Sequence, residues 1–201
     1  MLDKSIMENR TNITRKEQAE ETRNRIYTSA IKLMEENGFG NFTIEDISKK
    51  AGVSVGAFYH YFDSKNDILA EIFYRADDFF STHVVNSHKK SNIPEQIIEF
   101  FDHYAKFNAD CGVDTTQQIF NPKIKFFIEK GRPMLEILED LIRKGQEKNE
   151  IRGDTDAKEL VRYLLSMARG VVFDWSLYDG NYDLEAKMHE YMEILVSTIK
   201  V

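Results

Sequence analysis

The sequence contains few of the residues that hold small secreted proteins or membrane proteins together. Its one cysteine, Cys111, excludes an internal disulfide framework. Only three prolines occur in 201 residues, which leaves most of the chain free to form helix. No apolar run approaches a membrane span, and residues 1–10 lack the apolar segment of a signal peptide. We therefore expect a cytoplasmic protein that does not enter a membrane.

Recognisable motifs for catalysis and for metal binding are also missing. The five histidines show no metal-ligand spacing, and the nearness of His83 and His88 to Asp77 and Asp78 is interpreted as a chance cluster. Cys111 has no flanking residues typical of a nucleophile. No glycine-rich phosphate loop follows a strand-like segment. We predict no enzymatic activity, no metal site and no cofactor.

Apolar residues recur at helical spacing along the chain, whereas the alternation typical of strands is missing. With a hydrophobic content of 42%, the chain can bury a sizeable core. We predict an all-α protein of about nine helices. Its expected parts are a flexible polar arm over residues 1–15, a three-helix head over residues 16–64 and a larger helical body over residues 65–201.

The most informative segment runs from Thr43 to Lys65. Thr43 and Ser54 are typical N-caps, and Gly52 supplies a left-handed turn residue between two short helices. The second helix carries a Tyr-His-Tyr run at residues 59–61, whose exposure is costly unless a partner covers it. The segment predicts a helix-turn-helix that places its second helix in the DNA major groove. The alternative is a three-helix packing module with an aromatic core.

Residues 52–69, GVSVGAFYHYFDSKNDIL, resemble the signature of the TetR (tetracycline repressor) family of transcriptional regulators. Residues 23–38 resemble that family's first helix, and residues 42–47 its second. Ala57 stands where the family commonly has Thr or Ser, so a hydroxyl that could contact DNA is missing. The resemblance implies base-facing residues Val55, Ala57, Tyr59 and His60, phosphate-holding residues Thr43, Tyr61 and Lys65, and a capping residue Ser54 in the same DNA-binding set.

The recognition helix implied by this resemblance lacks the side chains that make strong bidentate contacts to bases. Neither arginine, asparagine nor glutamine occurs between Val55 and Tyr61. We therefore expect thymine-methyl contacts and DNA shape to contribute to sequence preference. Selected binding sites should then show a preference for thymine at the recognition positions.

The net charge of −7 is distributed unevenly. Residues 1–65 hold 10 basic and 10 acidic residues, whereas residues 66–201 hold 17 basic and 24 acidic ones and carry the whole negative excess. Phosphate attraction requires only a local positive face, whose candidates are Arg23, Arg25, Lys49, Lys50 and Lys65. DNA repels an acidic body, which fits a body held away from the duplex.

The predicted body is rich in aromatic residues and methionine. Each of these residues has an ordinary reading as core, yet aromatic helical interiors with scattered polar groups also bind apolar ligands. Because members of the family usually bind a small molecule in the body, the resemblance implies an effector pocket. Its predicted lining is Phe101, Tyr104, Phe107, Phe120, Phe127, Met134, Met167 and Phe173.

The last two predicted helices each carry an apolar stripe and are joined by a short loop at residues 179–183. Such a pair can complete the core of a monomer or form half of an intersubunit four-helix bundle. Residues 170–184 resemble the terminal region of many TetR-family members, in which this pair is the dimer interface. The interface residues implied are Leu164, Val171, Trp175, Met188, Tyr191 and Leu195.

These observations together predict a ligand-responsive transcriptional repressor. It would bind a double-stranded, pseudo-palindromic operator as a homodimer and be released by a small apolar effector. An activator, or a regulator without an effector, is the alternative within the class. A helical module that binds a protein partner is the alternative from another class.

Overall fold

The structure, a computed structural model, describes residues 14–84, 92–120, 127 and 131–201. Within those residues the regular elements are nine α-helices and one π-helical turn, which confirms the all-α prediction. The helices are α1 (Arg15–Asn37), α2 (Ile44–Ala51), α3 (Val55–Tyr61), α4 (Asn66–Phe79), α5 (Ile93–Cys111), α6 (Val113–Ile119), α7 (Pro133–Glu147), α8 (Ala157–Leu177) and α9 (Leu184–Ser197), and the π-helical turn is Phe80–Val84.

The chain divides into two compact units, the first ending at Lys65 and the second beginning at Asn66. In the first unit α2 packs on α1 and α3 packs on α2. Apolar side chains from all three helices and their connections are buried there, because each short helix alone has too little apolar surface to remain folded. Its core comprises Ile26, Ala30, Met34, Phe42, Ile47, Phe58 and Phe62.

Helix α1 begins where its first-turn hydrogen bonds can be satisfied. The Thr14 hydroxyl accepts the backbone N–H of Glu17, and the Glu17 carboxylate accepts the backbone N–H of Thr14. Gly38 ends the helix at a φ of 74°. The sequence predicts a first helix from about Lys16 to Asn37, so the observed helix starts one residue earlier. Residues 1–13 of the predicted arm lie outside the described residues.

The second unit is built around α5, which packs mainly on α9 and also on α7. The Asn92 side chain caps α5 by accepting the backbone N–H of Glu95. The sequence predicts that this helix begins at Pro94, and in the structure it begins one residue earlier, at Ile93. Gly145 lets α7 approach its neighbours, since a Cβ there would lie 2.5 Å from Ile151 Cγ1. The sequence also predicts a helix that begins at Pro122, and this segment lies outside the described residues apart from Phe127.

Candidate DNA-binding surface and effector pocket

The turn before α2 is held by a complete capping box. Thr43 Oγ1 accepts the N–H of Asp46 at 3.2 Å, and Asp46 Oδ2 accepts the N–H and the hydroxyl of Thr43 at 2.9 and 2.8 Å. These hydrogen bonds lower the pKa of Asp46. Both donors of Thr43 are therefore occupied by Asp46. The structure thus gives Thr43 a capping role, and its predicted contact with phosphate stays a prediction.

The turn between α2 and α3 uses the residues that the sequence singled out. Gly52 adopts the left-handed conformation, with a φ of 67°. Ser54 caps α3 by accepting the N–H of Ala57 at 3.1 Å. Phe58 is fully buried and fixes α3 on the core of the first unit. The inner side of α3 is thus anchored, and its other side remains accessible.

The accessible side of α3 carries most of the predicted recognition residues. Tyr59 is 52% exposed, and His60 is exposed beside it. Val55, Ala57 and Tyr61 are half-buried. The His60 and Tyr61 rings meet edge to face with centroids 5.0 Å apart, which fixes the outward direction of the imidazole. This surface, Val55, Ala57, Tyr59, His60 and Tyr61, is called the recognition face below.

Lys65 has a structural role that sequence reasoning did not anticipate. Its Nζ donates to the carbonyl oxygens of Phe39 and Phe42 at 2.5 and 2.8 Å and lies over both aromatic rings. Burial lowers the pKa of Lys65. The ammonium therefore holds the α1–α2 connection in place, and its predicted contact with phosphate stays a prediction.

The other cations predicted to attract phosphate differ in whether their charge already has a partner within the first unit. Lys50 Nζ lies 2.6 Å from Glu36 Oε2, so this lysine is engaged in an ion pair. The Arg23 guanidinium lies over the Phe62 ring at 5.1 Å from its centroid. Arg25 and Lys49 are exposed. We therefore take Arg25 and Lys49 as the cations best placed to meet phosphate oxygens.

A small cavity of about 30 Å³ lies inside the second unit. Its walls come from α4, α5, α6, α7 and α8 together with Phe127, and most of the lining is apolar. This space is about the volume of one water molecule, so binding a small molecule requires the surrounding helices to move apart. The lining residues are Ile72, Phe73, Ala76, Tyr104, Phe107, Asn108, Ile119, Phe127, Arg132, Met134 and Arg169.

Half of the predicted pocket residues are in this lining, namely Tyr104, Phe107, Phe127 and Met134. The other predictions are corrected here. Phe101 is fully buried in the general core, and Phe120 packs behind the wall against Phe127, with ring centroids 5.1 Å apart. Met167 and Phe173 are about half exposed, at 46% and 45%, because they lie on the outer face of α8.

Two arginines join Tyr104 and Asn108 as polar residues of the cavity lining, and sequence reasoning missed both arginines. Arg132 precedes α7 and makes a two-pronged ion pair with Asp77 of α4, at 2.9 and 3.1 Å. Asp77 also accepts the N–H of Met134 at 3.3 Å. These bonds attach the start of α7 to α4. A lone arginine beside a proline at a helix start carries no sequence signal for this pairing.

Arg169 projects from α8 into the cavity wall. Its Nη2 donates to the carbonyl oxygen of Phe127 at 2.9 Å, and its guanidinium stacks on the Phe127 ring. Burial lowers the pKa of Arg169. Burial also raises the pKa of Tyr104, and the nearby charges of Arg169 and Arg132 only partly oppose that effect. Tyr104 is therefore a neutral hydroxyl at this end of the cavity.

Helices α8 and α9 each have an inner and an outer apolar face. Four predicted interface residues, Leu164, Val171, Trp175 and Met188, are buried in the core of this chain, so they offer little surface to a second copy. Leu195 is half-buried, and Tyr191 is 43% exposed. Apart from Phe173, whose ring also packs against Phe120, the large exposed apolar residues on these two helices form the outer stripe, defined as Tyr163, Met167, Leu177, Tyr191 and Ile194.

Catalytic and metal-binding chemistry has little support in the described part of the chain. Burial raises the pKa of the Cys111 thiol to about 12, which keeps it protonated and unreactive. Among the described residues no group of three His, Cys, Asp or Glu side chains is placed to hold a metal ion.

Comparison with known proteins places this architecture in a family. The family model for bacterial regulatory proteins of the tetR family matches residues 26–72, which include α2, α3 and the recognition face. The model for the C-terminal region of YsiA-like proteins matches residues 116–198. The chain belongs to the TetR family. It is a DNA-binding transcriptional regulator, and the TetR family also dimerises and responds to small-molecule effectors.

Several relatives of known role match over most of this TetR-family chain. The fatty acid metabolism regulator protein of Bacillus subtilis is 26% identical over 87% of this chain and 93% of its own length. The transcriptional regulator UidR of Escherichia coli is 26% identical over 78% of this chain and 83% of its own. The crystal structure of Bacillus subtilis FadR with stearoyl-CoA has a TM-score of 0.74 at 24% identity, covering 87% of this chain and 98% of that one.

The relatives are regulators rather than enzymes, in agreement with the prediction of a regulator. None of the helices in the described residues has the length and apolar character needed to cross a membrane.

Proposed function

We propose that this protein represses transcription from a pseudo-palindromic operator as a homodimer and leaves the operator when an apolar effector fills the cavity of its second unit. The observation that carries the proposal is the position of α4. Residues Ile72, Phe73 and Ala76 of α4 form part of the cavity wall, and the helix begins at Asn66, directly after the helix-turn-helix unit. An effector therefore touches the helix that leads to the DNA-binding unit.

Operator contacts are proposed for the recognition face and for the free cations of the first unit. The methyl groups of Val55 and Ala57 suit thymine methyl groups, while Tyr59, His60 and Tyr61 can donate to phosphates or base edges. Arg25 and Lys49 are proposed to hold phosphates. Lys65 and Thr43 support these contacts by shaping the turns before α2 and after α3. We place this activity in the cytoplasm, where the operator is accessible.

Dimerisation is proposed to bury the outer stripe. Tyr163, Met167 and Leu177 recur on one face of α8, and Tyr191 and Ile194 recur on one face of α9. Large apolar groups at helical spacing on an exposed face indicate a helix-packing interface. Pairing α8 and α9 with the same two helices of a second copy gives an isologous four-helix bundle.

Release from DNA is proposed to run through the ion pair between Asp77 and Arg132. That pair fixes α4 to the start of α7, and Arg132 also lines the cavity. An effector shifts the protein only if it binds one arrangement of these helices more tightly than the other. In a dimer the spacing of the two recognition helices is set by the operator, so a small shift weakens both half-site contacts.

Apolar acyl compounds are the first effector class to test. The FadR structure similar to this chain contains stearoyl-CoA, and the cavity here is lined mainly by aromatic and aliphatic side chains. The likeness to FadR suggests a fatty acyl group, and the lining independently favours an apolar body.

The proposal is tested by selecting duplexes from a random pool with the purified protein and measuring affinity for the winning site at several salt concentrations. A pseudo-palindrome with a steep salt dependence is expected, since phosphate contacts release counterions. Tyr59→Ala should lower operator affinity at least tenfold without changing thermal stability. Tyr178→Ala, which removes another exposed tyrosine outside the first unit, is the matched control and should bind normally.

Failure to enrich any duplex, with or without acyl effectors, would overturn the proposal and favour a protein partner for the recognition face. Enrichment only in the presence of effector would reverse the sign of regulation and indicate a ligand-dependent DNA binder.

A further inference from the structure

Arg169 is the unusual residue of the effector cavity because its half-buried guanidinium has no carboxylate partner among the described residues. Its described partners are the carbonyl oxygen and ring of Phe127 and the neutral hydroxyl of Tyr104. Within the described residues its Nε–H is buried and makes no hydrogen bond. Buried charges in proteins are ordinarily paired, since desolvation of an unpaired ion is costly. A guanidinium without a counter-ion does not stabilise the ligand-free protein, which indicates a role in ligand binding.

The second cationic group of the cavity is already neutralised. Arg132 is paired with Asp77 through two hydrogen bonds, and the described residues that line the cavity include no carboxylate. Among the described lining residues, the positive charge without a carboxylate partner is therefore that of Arg169. The rest of the lining is mainly apolar and includes Phe107, Ile119 and Met134.

We infer that the effector is an apolar carboxylic acid whose carboxylate is bound by Arg169 and Tyr104. A carboxylate carries the single negative charge that matches the single uncompensated cation, whereas a phosphomonoester would bring nearly two. Its oxygens can accept the unused Nε–H of Arg169 and the Tyr104 hydroxyl, and charge-assisted hydrogen bonds of this kind are strong in a water-poor site. The acid's carbon chain or ring then occupies the aromatic part of the cavity.

This inference rests on the proposed role of the cavity as the effector site, and it narrows the effector class. A free acid and its CoA thioester share the apolar chain but differ at the carbonyl end, because the thioester carries no charge there. The structure assigns the acid to this cavity.

The test uses the full-length protein and calorimetric titration with octanoate, 4-phenylbutyrate, octanol, octanamide and octanoyl-CoA. We expect the acids to bind at least about tenfold more tightly than the alcohol and the amide. Arg169→Met keeps most of the side-chain volume and should erase this preference. Arg169→Lys should retain part of it. Arg162→Met, an exposed arginine on the same helix, is the control and should keep the wild-type preference.

Thermal unfolding provides a second readout that a damaged fold would not reproduce. Without ligand, Arg169→Met should unfold at the wild-type temperature or above it, because an unpaired buried charge has been removed. Octanoate should raise the unfolding temperature of the wild type and of Arg162→Met, and leave that of Arg169→Met unchanged.

Equal binding of acid, alcohol and amide, or an acid preference that survives in Arg169→Met, would overturn the inference. So would the absence of binding by both acids at millimolar concentration. Operator binding measured in parallel separates the two proposals. Release from the operator by octanoyl-CoA but not by octanoate would support the proposed repressor function and contradict the inference of a carboxylic-acid effector. Acid binding through Arg169 without operator release would support the inference of an acid ligand and contradict the proposed release mechanism.

Discussion

Lys65 shows how one side chain can serve the DNA-binding unit without touching DNA. Its sequence position, directly after an aromatic recognition helix, is where the family resemblance implied a phosphate contact. In the structure its ammonium satisfies the carbonyl oxygens of Phe39 and Phe42 and covers both rings. Those carbonyls belong to the connection that leads into α2. Lys65 is therefore expected to control operator affinity through the position of α2 and α3.

Replacing Lys65 by Met should destabilise the first unit by about 1 kcal/mol, because the two carbonyl oxygens lose a charged donor. Chemical denaturation measures this loss. Operator affinity should fall while the slope of affinity against salt stays unchanged, since no phosphate contact is removed.

Lys49→Met provides the comparison, because Lys49 is exposed and proposed to bind phosphate. It should keep wild-type stability and lower the salt slope by about one. A lower salt slope for Lys65→Met would return Lys65 to the phosphate-binding set.

The capping box of Thr43 and Asp46 makes part of the stability of α2 depend on pH. Hydrogen bonds from Thr43 hold the pKa of Asp46 below its usual 3.8. The stabilisation by the carboxylate is complete above that usual value and is lost as the pH falls through the lowered pKa of the folded state. Asp46→Asn should therefore unfold at a lower temperature than wild type at pH 7. The difference should shrink well below pH 3.8; a difference that is constant with pH would exclude the charge as its source.

At the scale of whole elements, α8 shows that one helix can face both a core and a partner. Leu164, Val171 and Trp175 lie on its inner face, and Met167 and Leu177 lie on its outer face. The two readings of the terminal helix pair, monomer core and intersubunit bundle, are therefore compatible, because they use different faces.

Charge on the outer stripe should disrupt assembly. A double variant, Met167→Glu and Leu177→Glu, places four carboxylates at a symmetric interface and should shift the protein to monomer, as measured by sedimentation equilibrium. Its operator affinity should fall at least a hundredfold, since each half-site then binds alone. Lys158→Glu alters an exposed residue near the start of α8, away from the stripe, and should leave the dimer intact. A stable dimer in the double variant would place the interface elsewhere.

The ion pair between Asp77 and Arg132 joins α4 to α7 and is almost fully buried. Arg132→Met should lower the free energy of unfolding by about 3 kcal/mol, because it leaves the Asp77 carboxylate buried without its counter-ion. Combining it with Asp77→Leu should restore most of that stability. The double variant is expected to bind the operator but no longer respond to effector. Asp78→Asn, at the exposed neighbouring position, should behave as wild type in both denaturation and release assays.

At the scale of the whole molecule, the distribution of charge agrees with the division into two units. Residues 1–65 are neutral overall, and all of the net −7 lies beyond them. Phosphate attraction is then a local property of cations such as Arg25 and Lys49, not of the whole chain.

The helix-turn-helix could be predicted from sequence because its determinants are local. Thr43, Gly52 and Ser54 act on residues within one helical turn, and helical periodicity identifies Phe58 as buried. The cavity and the interface depend on which side of a helix meets which neighbour. Periodicity groups Met167 with apolar residues but does not tell core from outer face. The pairing of Asp77 with Arg132 and the burial of Arg169 arise from contacts between residues distant in sequence, which no local pattern records.

The packing of α5 against α9 has a consequence for biosynthesis. The ribosome releases α1, α2 and α3 early, and they form a unit with its own core. Helix α5 emerges with apolar surface around much of its circumference, and its main partner, α9, follows only after α6, α7 and α8. During that interval the nascent chain contains a folded DNA-binding unit followed by a second unit whose apolar surface is still exposed. A translation stop within α8 would leave the α9-facing side of α5 exposed, and we expect chaperones or proteases to bind such a product.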